Sequence, residues 1–137
     1  MSARFDAADL GKLLLRLTVG GLMLLHGIGK IRHGTTGIEE DLASRGLPTG
    51  IAYGVYIGEV LAPVLLIAGF LTRPAALVLA FNMVVAILMK HAGDVLSFGG
   101  SGGYALELQM FYLVGGVIIA LLGSGRYSVF GGKGRFD

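Results

Sequence analysis

The sequence predicts an all-α chain folded as an integral membrane four-helix bundle. Three observations carry that prediction. Mean hydropathy is +0.76 and only 15% of residues are charged, where soluble domains carry about 25%. Four apolar stretches approach the ~20 residues that a helix needs to cross a bilayer. The chain has 137 residues, one domain at most, too small to hide so much apolar surface from water.

The first helix is expected over about residues 10–29. Arg4 and Lys12 resemble the basic start of a signal peptide. The apolar run is long, however, and no small-x-small cleavage site closes it, so it reads as a retained helix. At about 100° per residue, Arg16, Gly20, Met23, Gly27 and Lys30 share one face, with His26 at its border. Charge mixed with small residues marks an inward, closely packed face. Leu17, Leu24 and Ile28 face elsewhere, toward lipid.

The loop that follows contains GIEEDLASRGLP. A short amphipathic helix is expected over 37–45, with Ile38 and Leu42 at i and i+4, lying on the membrane surface. Gly46 and Pro48 would end it. The second helix is expected over about 51–71. The third, about 74–89, has a shorter apolar core and is expected to be only partly embedded. Thr72, Arg73 and Pro74 predict a tight turn between them, with Pro74 suited to a first helical turn. The next loop, HAGDVLSFGGSGG, lacks the Lys-Ser/Thr of a phosphate-binding loop and follows no strand. Its glycines predict flexibility or close backbone approach. The fourth helix is expected over about 104–123. The tail, SGRYSVFGGKGRFD, is glycine-rich and basic, and a loosely ordered cytoplasmic segment is expected.

Basic residues set the orientation. With four spans both termini share a side, which holds Arg4, Lys12, Arg73, Arg126, Lys133 and Arg135. The other side holds Lys30, Arg32, Arg45 and Lys90. Six against four places both termini in the cytoplasm.

Several ionisable groups then fall inside the spans, where a charge costs about 2.5–3.5 kcal/mol. They are Arg16, Glu59 and Glu107, accompanied by neutral Asn82 and Gln109. Glu59 lies ~12 Å below the outer start of its helix, and Glu107 ~5 Å below its own, at the helical rise. His26, Lys30, Glu59, His91 and Glu107 are thus expected in one outer chamber. Pro63 has no N–H and frees the carbonyl of Glu59, which suits either a ligand pocket or an ordinary membrane kink. Arg16 reads either as a side chain that snorkels to the headgroups or as the partner of a buried group, Asn82 being the nearest neutral one. Tyr53, Tyr56 and Tyr104 fall at the outer interface, where aromatic anchoring is the default. Helices one and three each end near a histidine, and two and four each carry a glutamate, a weak two-plus-two echo.

Other chemistry is disfavoured. There is no cysteine, hence no disulfide and no Cys-ligated cluster or zinc site in this chain. The Glu-x-x-His pattern of di-iron bundles is absent, and Lys30 would repel a cation, so no metal site is expected. Eleven scattered basic residues form no stripe for nucleic acid. The bilayer is the expected partner.

The order of these features resembles the DoxX family of small four-helix bacterial membrane proteins. Arg16, HGIGK at 26–30, Glu59, GFLTRPAA at 69–76, His91, Glu107 and GSGRYS at 123–128 carry the likeness over about residues 10–130. The resemblance implies the four-helix fold, the bacterial inner membrane, and membership in a group that includes a thiosulfate:quinone oxidoreductase subunit, a partner in an oxidative-stress complex, and proteins labelled oxidoreductases or quinol oxidases.

Three functions remain open. The first is quinone-linked redox chemistry, with a quinone as cofactor and no haem or iron–sulfur cluster. There His26 or Glu59 exchanges protons, and Lys30, Tyr56, His91 and Glu107 hold the ligand, while Arg16 and Asn82 are structural. A soluble or membrane partner would carry the electrons. The second is a non-catalytic anchor or assembly subunit. The third is a small-molecule or proton carrier, because Asp, Glu and His chains move protons through bilayers. Oligomeric state is not legible.

Overall fold

The computed structural model describes residues 6–137. Arg4, counted above for orientation, lies outside them. The described chain is all-helical, with one isolated bridge between Phe98 and Tyr104.

Helix α1 runs Ala7–His33. Asp6 caps it, its carboxylate accepting from the Ala8 N–H at 2.9 Å. Lys30, Arg32 and His33 occupy its last turn, where cations complement the helix dipole. Its buried face is Arg16, Val19, Gly20, Met23 and Gly27, the face that helical phase predicts with Val19 added and Lys30 only partly buried. Helix α2, Thr36–Ser44, is one residue ahead of its expected span, and Leu42 is its buried residue.

Thr49–Ala68 is one continuous segment of 20 residues in three windings. It begins as a 3-10 helix, Thr49–Gly54, passes through a π turn, Ile57–Leu61, and ends as α3, Ala62–Ala68. Pro63 explains the π turn. It has no N–H to offer the carbonyl of Glu59, and Ala62 donates instead five residues back, to Ile57 O. The segment stops at Ala68 rather than at 71 because Gly69 turns left-handed, φ +72°.

Helix α4, Thr72–Lys90, is longer than expected. It and Thr49–Ala68 are long and apolar enough to cross a membrane, with mean hydropathies of 1.8 and 1.9. The shorter apolar core expected for the third helix is therefore corrected. Thr72 to Pro74 form the first turn of α4, and the reversal itself is made by Gly69 to Leu71. Helix α5, Glu107–Leu122, is a shorter apolar helix.

Helix α1 packs on α3 and α5, and α4 packs on α3 and α5. Their inward residues form the core, with Met23, Leu66, Ala76, Leu79 and Ile119 at its centre. Glycines set the close approaches. A Cβ on Gly116 would meet Ala76 O at 2.9 Å, so α5 rides directly on the backbone of α4. The outer faces are apolar too: Leu14 and Leu25 on α1, Phe81 and Leu88 on α4, Phe111 and Leu121 on α5 are all exposed.

The tail is not loose. Val129 N–H reaches Ala68 O at 3.3 Å, Arg73 N–H reaches Phe136 O at 3.1 Å, and Phe130 packs on Phe70 with ring centroids 5.7 Å apart. Its glycines make left-handed turns at Gly125, Gly131 and Gly132 that bring it back onto the helix ends. In the glycine-rich loop, close backbone approach is the outcome: Gly99 N–H donates to Gly103 O at 2.6 Å.

Candidate functional site

The centre of the site is Glu59, 3% exposed and set in the π turn. π turns recur at functional sites because the extra residue re-aims a side chain. Lys30 of α1 donates to Glu59 Oε2 in a close ion pair. Asn82 Nδ2 of α4 donates to Oε1 at 3.2 Å. Tyr56 donates its hydroxyl to the carbonyl of Lys30 at 3.2 Å.

Two glycines permit this arrangement. A Cβ on Gly27 would overlap the carbonyl of Glu59, so at this point the backbone of α1 lies directly against the π turn, and only a residue without a side chain fits there. A Cβ on Gly58 would meet the Asn82 side chain at 2.5 Å, so Gly58 is what lets Asn82 reach the carboxylate.

Over this cluster lies a cavity of ≈ 580 Å³. Its polar floor is Lys30, Glu59 and Asn82, and its walls are mostly apolar: Ile51, Val55, Ile57, Val78, Phe81 and Met89. Helix α2 roofs it with Ile38 and buried Leu42. Two contacts tie the roof to the end of α4. Lys90 pairs with Asp41 at 3.0 Å, and Arg45 donates to Met89 O at 2.5 Å. The expected surface helix is thus a cover. A second, more open cavity lies on the other side of Lys30, lined by Leu22, Leu25, His26, His33 and Tyr112. His26 meets the Tyr112 ring edge-on, centroids 5.9 Å apart.

The single outer chamber expected from the sequence is therefore divided. Lys30, Glu59 and Asn82 share the cavity under α2, and Tyr56 braces Lys30 from behind. His26 is exposed and belongs to the second cavity. His91 and Glu107 line neither one. His91 sits past the end of α4, 3.4 Å from Gln109 and 3.7 Å from Asp94. Glu107 is exposed at the start of α5 beside Gly103. No group of three or more metal-ligating side chains occurs among the described residues.

Asn82 does not pair with Arg16, because it is drawn to Glu59 instead. Nor does Arg16 snorkel: it is 0% exposed. Its guanidinium donates to Leu66 O at 2.9 Å and Ile67 O at 3.3 Å, at the end of α3, and closely to Tyr127 O of the tail. Arg73 does the same for α5, donating to Ala120 O and Leu121 O at 2.7 and 3.0 Å. Arg45 does so for α4. Sequence reading missed these carbonyl clamps, as it missed Tyr112 and Gly58. Gly58 alone left a trace, as a small residue directly before a membrane acid.

The helices and the apolar cavity with its acid–base floor define a small all-helical protein of the membrane class. A family model, DoxX, matches residues 11–92. The chain is 32% identical over 105 residues, 77% of its length and 78% of the relative's, to a Bacillus subtilis (strain 168) protein named "Putative oxidoreductase CatD". No solved structure matches. The chain belongs to the DoxX family. The family match ends at residue 92, before Glu107 and the GSGRYS segment that also carried the resemblance.

Proposed function

We propose that this chain is the membrane component of a quinone- or quinol-linked redox system, and that the cavity under α2 is where the ligand sits. One observation carries the reading. A buried carboxylate, paired with a lysine and an amide, faces an apolar cavity of ≈ 580 Å³, within the ~300–1,000 Å³ typical of small-molecule sites. Such a floor offers Lys30 and Asn82 as donors to a ring oxygen and Glu59 as the proton-exchanging group. The relative's name as an oxidoreductase supports a redox role. Electrons need a partner protein or acceptor, since the chain has no cysteine.

The same reading places the chain as a four-helix, multi-pass protein of the bacterial inner membrane, both termini cytoplasmic. The exposed apolar side chains around α1, α4 and α5 support lipid contact. A quinone titration into purified protein in nanodiscs tests the ligand. Binding by wild type and its loss in Glu59→Gln is the expected result; no binding by wild type overturns it.

A second reading has its own support. Both oxygens of Glu59 already have partners, which suits a structural lock in a non-catalytic anchor for a soluble enzyme. On that reading Glu59→Gln changes stability and there is no ligand to lose.

A further inference from the structure

Lys30 and Gly34 line both cavities, and Lys30 is the ionisable residue among them. The ion pair is asymmetric: the Lys30 side chain is 30% exposed and that of Glu59 only 4%. The lysine is thus the more accessible end of the pair. On the far side of Lys30 stand His26 and His33, whose imidazoles can take a proton on one ring nitrogen and give one from the other. The neighbours complete the electrostatic setting. Tyr56 and Asn82 are neutral, Tyr112 of α5 stands beside His26, and Lys90 of α4 is held by Asp41 of α2.

We propose, on the reading that the cavity under α2 holds a ligand of the hydroquinone or phenol class, that Lys30 and Glu59 form a proton link between the two cavities, with His26 and His33 as its exit. The ligand O–H breaks and a Glu59 O–H forms. The Lys30 ammonium gives one proton to an imidazole of His26 or His33 and becomes an amine. Glu59 then returns its proton to Lys30, and the imidazolium releases one to water. The sum is one ligand hydroxyl turned into its anion and one proton delivered to the outer cavity; no electron moves. This accounts for a buried ion pair that spans two compartments, where an apolar pair would pack the same helices as well.

The test uses the full chain in nanodiscs and an alkylated 4-nitrophenol, whose phenolate is yellow. After a stopped-flow jump from acid to neutral pH, colour reports deprotonation of the bound probe, and probe affinity is read separately. Lys30→Met and the double variant His26→Gln/His33→Gln should each slow the colour change about 10²-fold, the lower end of what a positioned proton carrier contributes. Free imidazole in the buffer should rescue the histidine variant and not Lys30→Met. The double variant changes side chains of the open cavity alone, so it keeps the test usable if Lys30→Met folds poorly. Bound probe with unchanged rates in the histidine variant overturns the proton link while leaving the ligand reading intact. Absence of probe binding by wild type overturns both.

Discussion

At the level of single residues, the ion pair makes an asymmetric prediction. Removing one partner of a buried pair costs about 3–5 kcal/mol, because the other charge is left unpaired. Lys30 can turn toward the open cavity, whereas Glu59 has nowhere wet to go. Lys30→Met should therefore lower stability by about 3 kcal/mol, and Glu59→Gln by about half that. The double variant should recover part of the loss. Thermal unfolding in detergent, followed by size exclusion, reads all three; equal losses in the two single variants would contradict the geometry. Glu59 and Lys30 were legible in the sequence as ionisable groups in apolar surroundings, and depth placed both in the outer half of the bundle. The separation of His26 was not, because helical phase left it at a border and only packing against Tyr112 decides its side. Asn82 and Arg16 were mispaired for a related reason. Depth along a helix is readable from residue count, but the choice of neighbour depends on which helix faces which.

At the level of elements, glycines govern how α1 meets the π turn. Helix α1 offers a controlled comparison. A Cβ on Gly27 overlaps the carbonyl of Glu59, while one on Gly21 has nothing within 4 Å. Overpacking of this kind costs about 1–3 kcal/mol, and a glycine replaced by alanine in an open helical position gains up to about 1 kcal/mol. Gly27→Ala should destabilise and distort the proposed ligand site, while Gly21→Ala should be neutral or stabilising. Melting curves paired with ligand titration check both. The five helices were largely readable from hydropathy. Their limits were not, since the end at Ala68 depends on the left-handed Gly69, and the extension of α4 back to Thr72 depends on Leu71 at φ +48°. The π turn follows from Pro63 in retrospect, yet a missing donor permits several repairs, and the approach of Gly27 selects this one.

At the level of the whole molecule, two ends of different character emerge. One end holds the cavities; the other is closed by arginines that gather carbonyls. Arg16 joins α1 to the end of α3 and to the tail, and Arg73 joins α4 to the end of α5 and, through Asp137 O at 2.7 Å, to the chain end. Arg16→Leu leaves these carbonyls without their donor and should undock the tail. Trypsin cleavage at Arg126 should then quicken by roughly tenfold or more, with Arg16→Lys intermediate because an ammonium lacks the guanidinium fork. The tail's glycine content read as disorder because composition does not reveal an arginine waiting more than a hundred residues away. The same two ends give the membrane reading its sharpest check. The chain has no cysteine, so single reporters can be introduced on a clean background. Ser101→Cys, in the exposed loop before α5, and Lys133→Cys, in the exposed part of the tail, lie at opposite ends of the apolar helices. On the proposed orientation, with four crossings and the excess of Lys and Arg holding the tail end inside, an impermeant maleimide should label the first in intact spheroplasts and reach the second only after permeabilisation. The reverse labelling would invert the orientation and turn the cavities toward the cytoplasm; labelling of both in intact cells would remove the four crossings altogether.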